Sequence, residues 1–181
     1  SLTLSAANDV LGGGNIARLG QRLRSEKGWS YAITSSTNGG LVQQYWGIET
    51  SVQGDKTAES VAEILDVIAR FTGVEPATEA ELARFVKSES RSLPGLFESA
   101  DAVLAAMVQS SAHGRPYDWI EGAPARLKAL KLEDVNRIAR QYFTPNSFTW
   151  VLVGDLSRFE QPLRHAGLGT VEVWDRQGRR L

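Results

Sequence analysis

Arg24 and Tyr31 stand seven residues apart in the stretch LGGGNIARLGQRLRSEKGWSY, residues 11–31, with Gly28 between them. A guanidinium offers a rigid fork of N–H donors and a phenol offers one O–H donor, and neither is a nucleophile. Donors of this kind suit a carbonyl oxygen, or an oxyanion as charge develops on it. The same pair also has a purely structural account, in which Arg24 solvates a helix end and Tyr31 packs on a sheet face. The residues alone leave both accounts open.

Other chemistries are poorly provided for. Gly12, Gly14 and Ala17 match G-x-G-x-x-A, which permits a dinucleotide loop. No Asp or Glu closes the following strand to hold a ribose, and the hairpin signal beyond it argues against a parallel βαβ unit. No Gly-Lys-Ser/Thr follows the glycines, which excludes a P-loop. His113 and His165 lie far apart, with no carboxylate or histidine at ligand spacing, whereas a metal site needs three or four converging ligands. They read as a surface-loop histidine and a helix-end histidine. No G-x-S-x-G marks a serine nucleophile. Glu79, Glu81, Glu89 and Glu98 alternate with Arg84, Lys87 and Arg91, which reads as a solvated helical face with ion pairs along it. There is no cysteine, so disulfides and thiolate metal sites are impossible.

At 181 residues the chain fits one domain, and a chain of this length buries roughly 70% of its unfolded surface. Apolar residues make up 42% and charged residues 23%, with a net charge of -1 from 20 basic and 21 acidic side chains. That balance gives no electrostatic case for nucleic acid or an anionic membrane as a partner. No apolar run approaches the roughly 18 residues of a membrane span. The opening SLTLSAANDV lacks the charged flank and long apolar core of a signal peptide. Leu2 and Leu4 alternate with polar residues like the tail of a strand, so the chain is expected to begin mid-domain, as a fragment.

The elements that must position Arg24 and Tyr31 follow from periodicity. Val10, Leu11, Ile16, Leu19 and Leu23 recur at helical spacing and predict one helix over about residues 8–27 with one buried stripe. Gly12, Gly13 and Gly14 each cost a helix about 1 kcal/mol, so their missing side chains must serve close backbone packing or close approach of a partner. Gly28 suits the left-handed position that stops a helix. Trp29, Tyr31 and Ile33 then alternate as a strand, and Asn38-Gly39-Gly40 signals a hairpin. The return strand, about residues 41–52, sets Val42, Trp46 and Ile48 on one face and Leu41, Tyr45 and Glu49 on the other. A helix over about 56–72 carries the stripe Val61, Ile64, Leu65, Ile68 and Phe71, with Asp55 or Thr57 as its cap. Thr78 and Glu81 form a capping box ahead of Leu82, Phe85 and Val86.

Further on, a helix over about 96–111 is expected to bury Ala100, Val103, Leu104 and Met107. A short helix follows over 124–130, then one over 133–143 with Val135, Ile138, Ala139 and Tyr142 inward. FTWVLVG, residues 148–154, predicts a central strand, residues 158–165 a short helix and 171–174 a final strand. The order defines an α+β fold with helices packed on a mainly antiparallel sheet.

Taken in order, NDVLGGG, RLGQRLRSEKGWSY, TEAELARFVKSE, GRPYDWI and LKLEDVNRIARQYFTPNSFTWVLVGD closely resemble the C-terminal type domain of the M16 zinc metallopeptidases, the insulinase, pitrilysin and mitochondrial processing peptidase family. The resemblance runs from Leu4 to about Val173. It implies the LuxS/MPP-like metallohydrolase fold with its first strand missing, and residues 1–181 as a single domain of a larger peptidase. In the family, two-domain halves close around a chamber for unfolded peptides. Zinc is held there by H-x-x-E-H plus a distal glutamate in an N-terminal domain, and this sequence has none of that motif. The resemblance therefore implies zinc in the full-length enzyme, bound by another domain, with no metal and no cofactor in this chain.

The family's other half supplies an Arg and a Tyr in the context LR-x-x-x-G-x-x-Y, which bind substrate and stabilise the transition state. The matching positions are Arg24 and Tyr31, with Gly28 between them and Gly12, Gly13 and Gly14 as a supporting loop. The function implied is the non-zinc, substrate-binding domain of an M16-type zinc metalloendopeptidase that degrades or processes peptides, inactive on its own. The alternative is a catalytically degenerate M16-fold scaffold or assembly subunit. The partners implied are the zinc-bearing half, on the same chain or a partner subunit, and a peptide substrate. A sheet edge left uncovered by the missing strand promotes association of copies. Bacterial members of the family imply a periplasmic home, which nothing in this sequence marks. Lys131 stands before LEDV where the family has Thr, so the usual helix cap is missing there.

Overall fold

The computed structural model describes residues 1–14, 16–39 and 43–181. Its first element is a helix. In α1, Leu2–Asn8, the Ser1 hydroxyl caps the first turn by accepting from the Leu4 N–H at 3.3 Å. The strand tail expected from Leu2 and Leu4 is thus a helix start. Ala6, Ala7, Val10 and Leu11 are buried at helical spacing, and a capped amphipathic turn outweighs a two-residue alternation.

The chain then widens into a π turn, Asp9–Gly13, closed by the Gly14 N–H donating to the Asp9 carbonyl at 3.0 Å. Here the single helix expected over 8–27 breaks, because Gly14 and Ala17 are extended (ψ 160° and 153°). A run of three glycines lowers the cost of leaving the helix. A second helix, α2, starts at Arg18–Gly20 and widens in turn into a π segment, Gln21–Glu26.

The strands β1, Ser30–Gly39, and β2, Gln44–Val52, pair antiparallel as the hairpin signal implies. Gly40, Leu41 and Val42, to which part of that expectation refers, lie outside the described residues. The first helix lies against β1 so closely that a Cβ on Gly12 would sit 2.5 Å from Ser35 Oγ. Around that contact, Ser35 Oγ and Trp46 Nε1 both donate to Asn8 Oδ1 (2.7 and 2.6 Å), and Asn8 Nδ2 donates to the Ser35 carbonyl (3.0 Å). Close backbone packing is what the missing side chain of Gly12 serves.

The two π segments and α2 lie on this hairpin, and α3, Thr57–Thr72, α4, Glu79–Ser92, and α7, Leu132–Tyr142, close the same core from the far side of them. The α3 stripe buries Val61, Ile64, Ile68 and Phe71. Neither Asp55 nor Thr57 caps it: the N-cap is Lys56, and the Thr57 hydroxyl donates back to the Gly54 carbonyl instead. The capping box of Thr78 and Glu81 is present in full. The core centres on aromatic contacts, Trp46 to Phe143 at 4.5 Å and Phe71 to Phe143 at 6.3 Å between ring centroids. Phe143 takes the buried place expected of Tyr142, which faces solvent, because the helix ends between the two and turns the next side chain inward. A smaller cluster of Ala58, Val61, Phe159 and Leu163 seats α8, Leu156–His165, on α3.

Helices on an antiparallel sheet agree with the α+β expectation, and three details depart from it. The helix α5, Ala100–Ala112, leaves Leu104 and Met107 exposed, along with Ala100, and buries only Ser110. It packs on its flanking turns, which are too small to cover the stripe. Residues 148–154 have strand composition, yet the described sheet holds two strands and this segment belongs to neither. A strand needs a ladder partner for its backbone groups; without one, Phe148 and Trp150 pack on the core while Val151 and Val153 stand 82% and 94% exposed. The final strand over 171–174 reduces to one bridge between Trp174 and Arg180. The short helix α6, Ala123–Lys128, follows its expectation.

Candidate functional site

Arg24 lies near the end of the π segment Gln21–Glu26. The Lys27 N–H reaches the Arg22 carbonyl, five residues back, at 3.1 Å. The helix stops through Gly28, whose φ of +65° is the left-handed conformation that only glycine takes without strain. The Trp29 N–H then donates to the Leu23 carbonyl at 3.0 Å, one residue further back than in an ordinary Schellman closure, as π winding requires.

Three cations crowd this helix end, and the structure separates them. Arg22 Nε and Lys27 Nζ both bind Glu63 of α3 (2.5 and 2.8 Å), and Arg22 Nη1 also binds Glu26 at 2.7 Å. Burial raises the Glu63 carboxyl, but the bonds from Lys27 and Arg22 outweigh it and hold it below the usual carboxylate range. Arg24 is exposed and has no ion pair or hydrogen bond among the described residues. Its fork of donors is free.

Tyr31 is lifted by a β-bulge. Ser30 faces Val52 and Ile33 faces Thr50, so Tyr31 and Ala32 together oppose Ser51 alone. A bulge breaks the alternation of a strand and re-aims a side chain, and Tyr31 is 93% exposed. Packing on a sheet face, one of the two accounts left open by the sequence, does not describe so exposed a side chain. Ser30 Oγ and Thr50 Oγ1 lie 2.8 Å apart and reach the Ala32 carbonyl at 2.8 and 2.9 Å.

Arg24 and Tyr31 line one open cleft of ≈ 830 Å³, together with Gly28, Trp29 and residues 51–53 of and beyond β2. Gln53 ties its floor: its backbone N–H donates to the Trp29 carbonyl at 3.0 Å and its Nε2 to the Gly28 carbonyl at 3.2 Å. Lys27 and Lys56 stand over the Trp29 ring at 4.9 and 5.7 Å from its centroid, which fixes the indole beside the cleft. Sequence reasoning did not find Ser51 or Gln53, because only the hairpin register brings them to Gly28. Gly12, Gly13 and Gly14 do not line the cleft. Gly12 lets the first helix lie against Ser35 of β1, whereas a Cβ on Gly13 or Gly14 would collide within the same turn, with Asn8 or Asp9.

Glu81 does not pair along its own helix. Its carboxylate accepts from Arg18 Nε at 2.9 Å and Nη2 at 2.8 Å while closing the Thr78 cap. Arg18 also donates to the Glu75 and Pro76 carbonyls and lies 5.0 Å over Phe71, so it joins α2 to α3 and α4. Each histidine sets Nδ1 against its own helix, His113 on the Gln109 carbonyl and His165 on that of Gln161. Among the described residues no three His, Cys, Asp or Glu side chains converge on a metal position, so these residues do not fit a zinc ion.

Residues 1–88 match the family model described as "Peptidase M16 inactive domain". The uncharacterized zinc protease YmxG of Bacillus subtilis is 28% identical over 145 residues, which is 78% of this chain and 34% of that protein. The chain thus spans about a third of the length of the curated relative it matches. The fold is shared with the crystal structure of a peptidase M16 inactive domain from Pseudomonas fluorescens (TM-score 0.66, 19% identity, 79% of this chain and 34% of that one). It is shared equally with a protease from Helicobacter pylori (TM-score 0.68, 20% identity, 80% and 34%).

Proposed function

We propose that this chain is the non-zinc, substrate-binding domain of an M16-type zinc metalloendopeptidase, with Arg24 and Tyr31 donating hydrogen bonds to the carbonyl of the peptide bond under attack. One observation carries the reading. Of three cations at one helix end, two are tied to Glu63 and only Arg24 faces the cleft unpaired, beside a phenol that a bulge has lifted out of its sheet. Holding a solvent-exposed tyrosine on an irregular strand gains nothing in packing, whereas preorganised donors strengthen as negative charge develops on an oxygen. Zinc and the base belong, on this reading, to the other half of the enzyme. Peptide is the substrate class because the open cleft runs beside a strand end and offers donors for a backbone carbonyl.

The test uses the full-length protein that contains this domain together with its zinc-bearing half. Arg24→Ala and Tyr31→Phe are each expected to lower kcat for peptide cleavage by about 10²–10³, the usual loss for one oxyanion donor, with thermal stability unchanged. Turnover at the unmodified level in both variants, or a zinc-loaded full-length protein without peptidase activity, overturns the proposal in favour of a scaffold role.

A further inference from the structure

The geometry points to Ser30 and Thr50 as positioning residues for Tyr31. This rests on the role proposed for Tyr31 above. Ser30 is buried at the root of the bulge and Thr50 is half-buried on the facing strand. Their hydroxyls lie 2.8 Å apart, and the Ala32 carbonyl receives Ser30 Oγ at 2.8 Å and Thr50 Oγ1 at 2.9 Å. Two hydroxyls carry two protons, so two of these three contacts are hydrogen bonds at any instant. Either both protons go to the carbonyl, or one hydroxyl relays through the other. In both arrangements the Ala32 carbonyl is held from within the hairpin.

That carbonyl belongs to the residue next to Tyr31 inside the irregular step of the register. The peptide unit it anchors, between Ala32 and Ile33, fixes where the strand turns back into its ladder, and so limits, through Ala32, where the Tyr31 side chain can stand. Tyr31 is 93% exposed, so packing does little to hold it. Its direction is therefore set from below, by the hydroxyl pair. A residue that closed the same space without an O–H, such as valine for threonine, leaves the bulge in place by hairpin pairing but leaves the carbonyl the Ser30 hydroxyl alone, a looser hold on the peptide unit. Misplacement of a reacting group by about 1 Å costs up to 10²-fold in rate. The contact explains two small hydroxyl residues meeting diagonally across the strands, where Ser30 is paired with Val52 and Thr50 with Ile33.

The test compares Thr50→Val and Ser30→Ala with the hydroxyl-keeping variants Thr50→Ser and Ser30→Thr in the full-length enzyme. Thr50→Val is expected to lower kcat for peptide cleavage on the order of tenfold to 10²-fold with KM little changed, and Thr50→Ser to restore it. In a Tyr31→Phe background, Thr50→Val is expected to add no further loss. Fluorotyrosine placed at position 31 supplies a readout independent of turnover: its fluorine resonance should broaden or split in Thr50→Val and sharpen again in Thr50→Ser. An equal loss from Thr50→Val with and without Tyr31→Phe overturns the positioning role, and so does an unmoved resonance. If Tyr31→Phe alone leaves turnover intact while the resonance responds to Thr50→Val, the role proposed for Tyr31 fails and the hydroxyl clamp stands.

Discussion

Two glycines in the same broken helix are expected to respond to alanine with opposite signs. At Gly20 the backbone is helical (φ -64°, ψ -42°) and an added Cβ meets nothing within 4 Å. Gly20→Ala should therefore stabilise by about 1 kcal/mol, the propensity difference. At Gly12 the same gain is offset by contacts at 2.5 Å with Ser35 Oγ, 2.9 Å with Leu19 Cδ1 and 3.0 Å with Ser35 Cβ. Leu19 is fully buried and Ser35 is bonded to Asn8, so neither neighbour moves cheaply. Overpacking of this kind costs about 1–3 kcal/mol, and displacing Ser35 from Asn8 costs about 1 kcal/mol more. The net loss for Gly12→Ala is about 1–3 kcal/mol. A chain of this size shifts by about 2–4 °C per kcal/mol, so the two variants should separate in melting temperature on either side of the parent. Urea denaturation of both, read by far-ultraviolet circular dichroism, measures the difference. Adding Ser35→Ala to Gly12→Ala should recover part of the loss, since it removes the nearest atom. A Gly12→Ala variant as stable as Gly20→Ala would refute the close packing of the first helix on β1.

Other consequences are open to measurement. Burial raises the Glu81 carboxyl, but Arg18 and Thr78 bonds outweigh it and hold it below its ordinary value of 4.5. A depressed carboxylate stabilises the fold above the unfolded value and loses that contribution as pH falls through the folded one. The melting temperature should therefore drop on acidification below about pH 4.5. Glu81→Gln should cost about 2 kcal/mol at neutral pH and flatten that acid limb; an unchanged limb would contradict the Arg18 pairing. The apolar segment with Val151 and Val153 exposed is a bare surface of the kind that drives association. Val151→Lys with Val153→Lys should lower the weight-average mass of the isolated chain in concentrated solution, measured by light scattering, and no change would absolve the segment.

The local signals in this sequence were the readable ones. Thr78 with Glu81 three residues later carries its cap in four residues, and Gly28 marks the helix stop that its φ of +65° requires. The stripe of α3 follows because one face of a long helix must be buried. What local pattern could not convey was partnership across the chain. Glu81 looked like one member of a solvated helical face, yet its partner Arg18 lies on another helix. Residues 148–154 have the composition of a strand, but composition says nothing about whether a neighbour offers a ladder. The one helix expected over 8–27 became two because the chain is extended at Gly14 and Ala17, and periodicity, which counts apolar residues, sees neither that break nor the phase shift of a π turn. Arg24 and Tyr31 were visible as chemistry, while the cleft that joins them depends on the hairpin register.

Both donors stand where the backbone holds a residue more than regular structure uses. The π segment carries Arg24 one residue beyond α-helical winding, and the bulge sets Tyr31 and Ala32 against Ser51. Removing a residue upstream of Arg24 in that segment would rotate its side chain about 100° around the helix axis. Removing one from the bulge would send Tyr31 to the opposite face of the hairpin. Every residue type in the cleft could be kept in such variants and the cleft would still be lost. A lineage can therefore retire this site by a three-nucleotide deletion as effectively as by replacing either side chain, and comparisons between relatives should count the spacing as well as the letters.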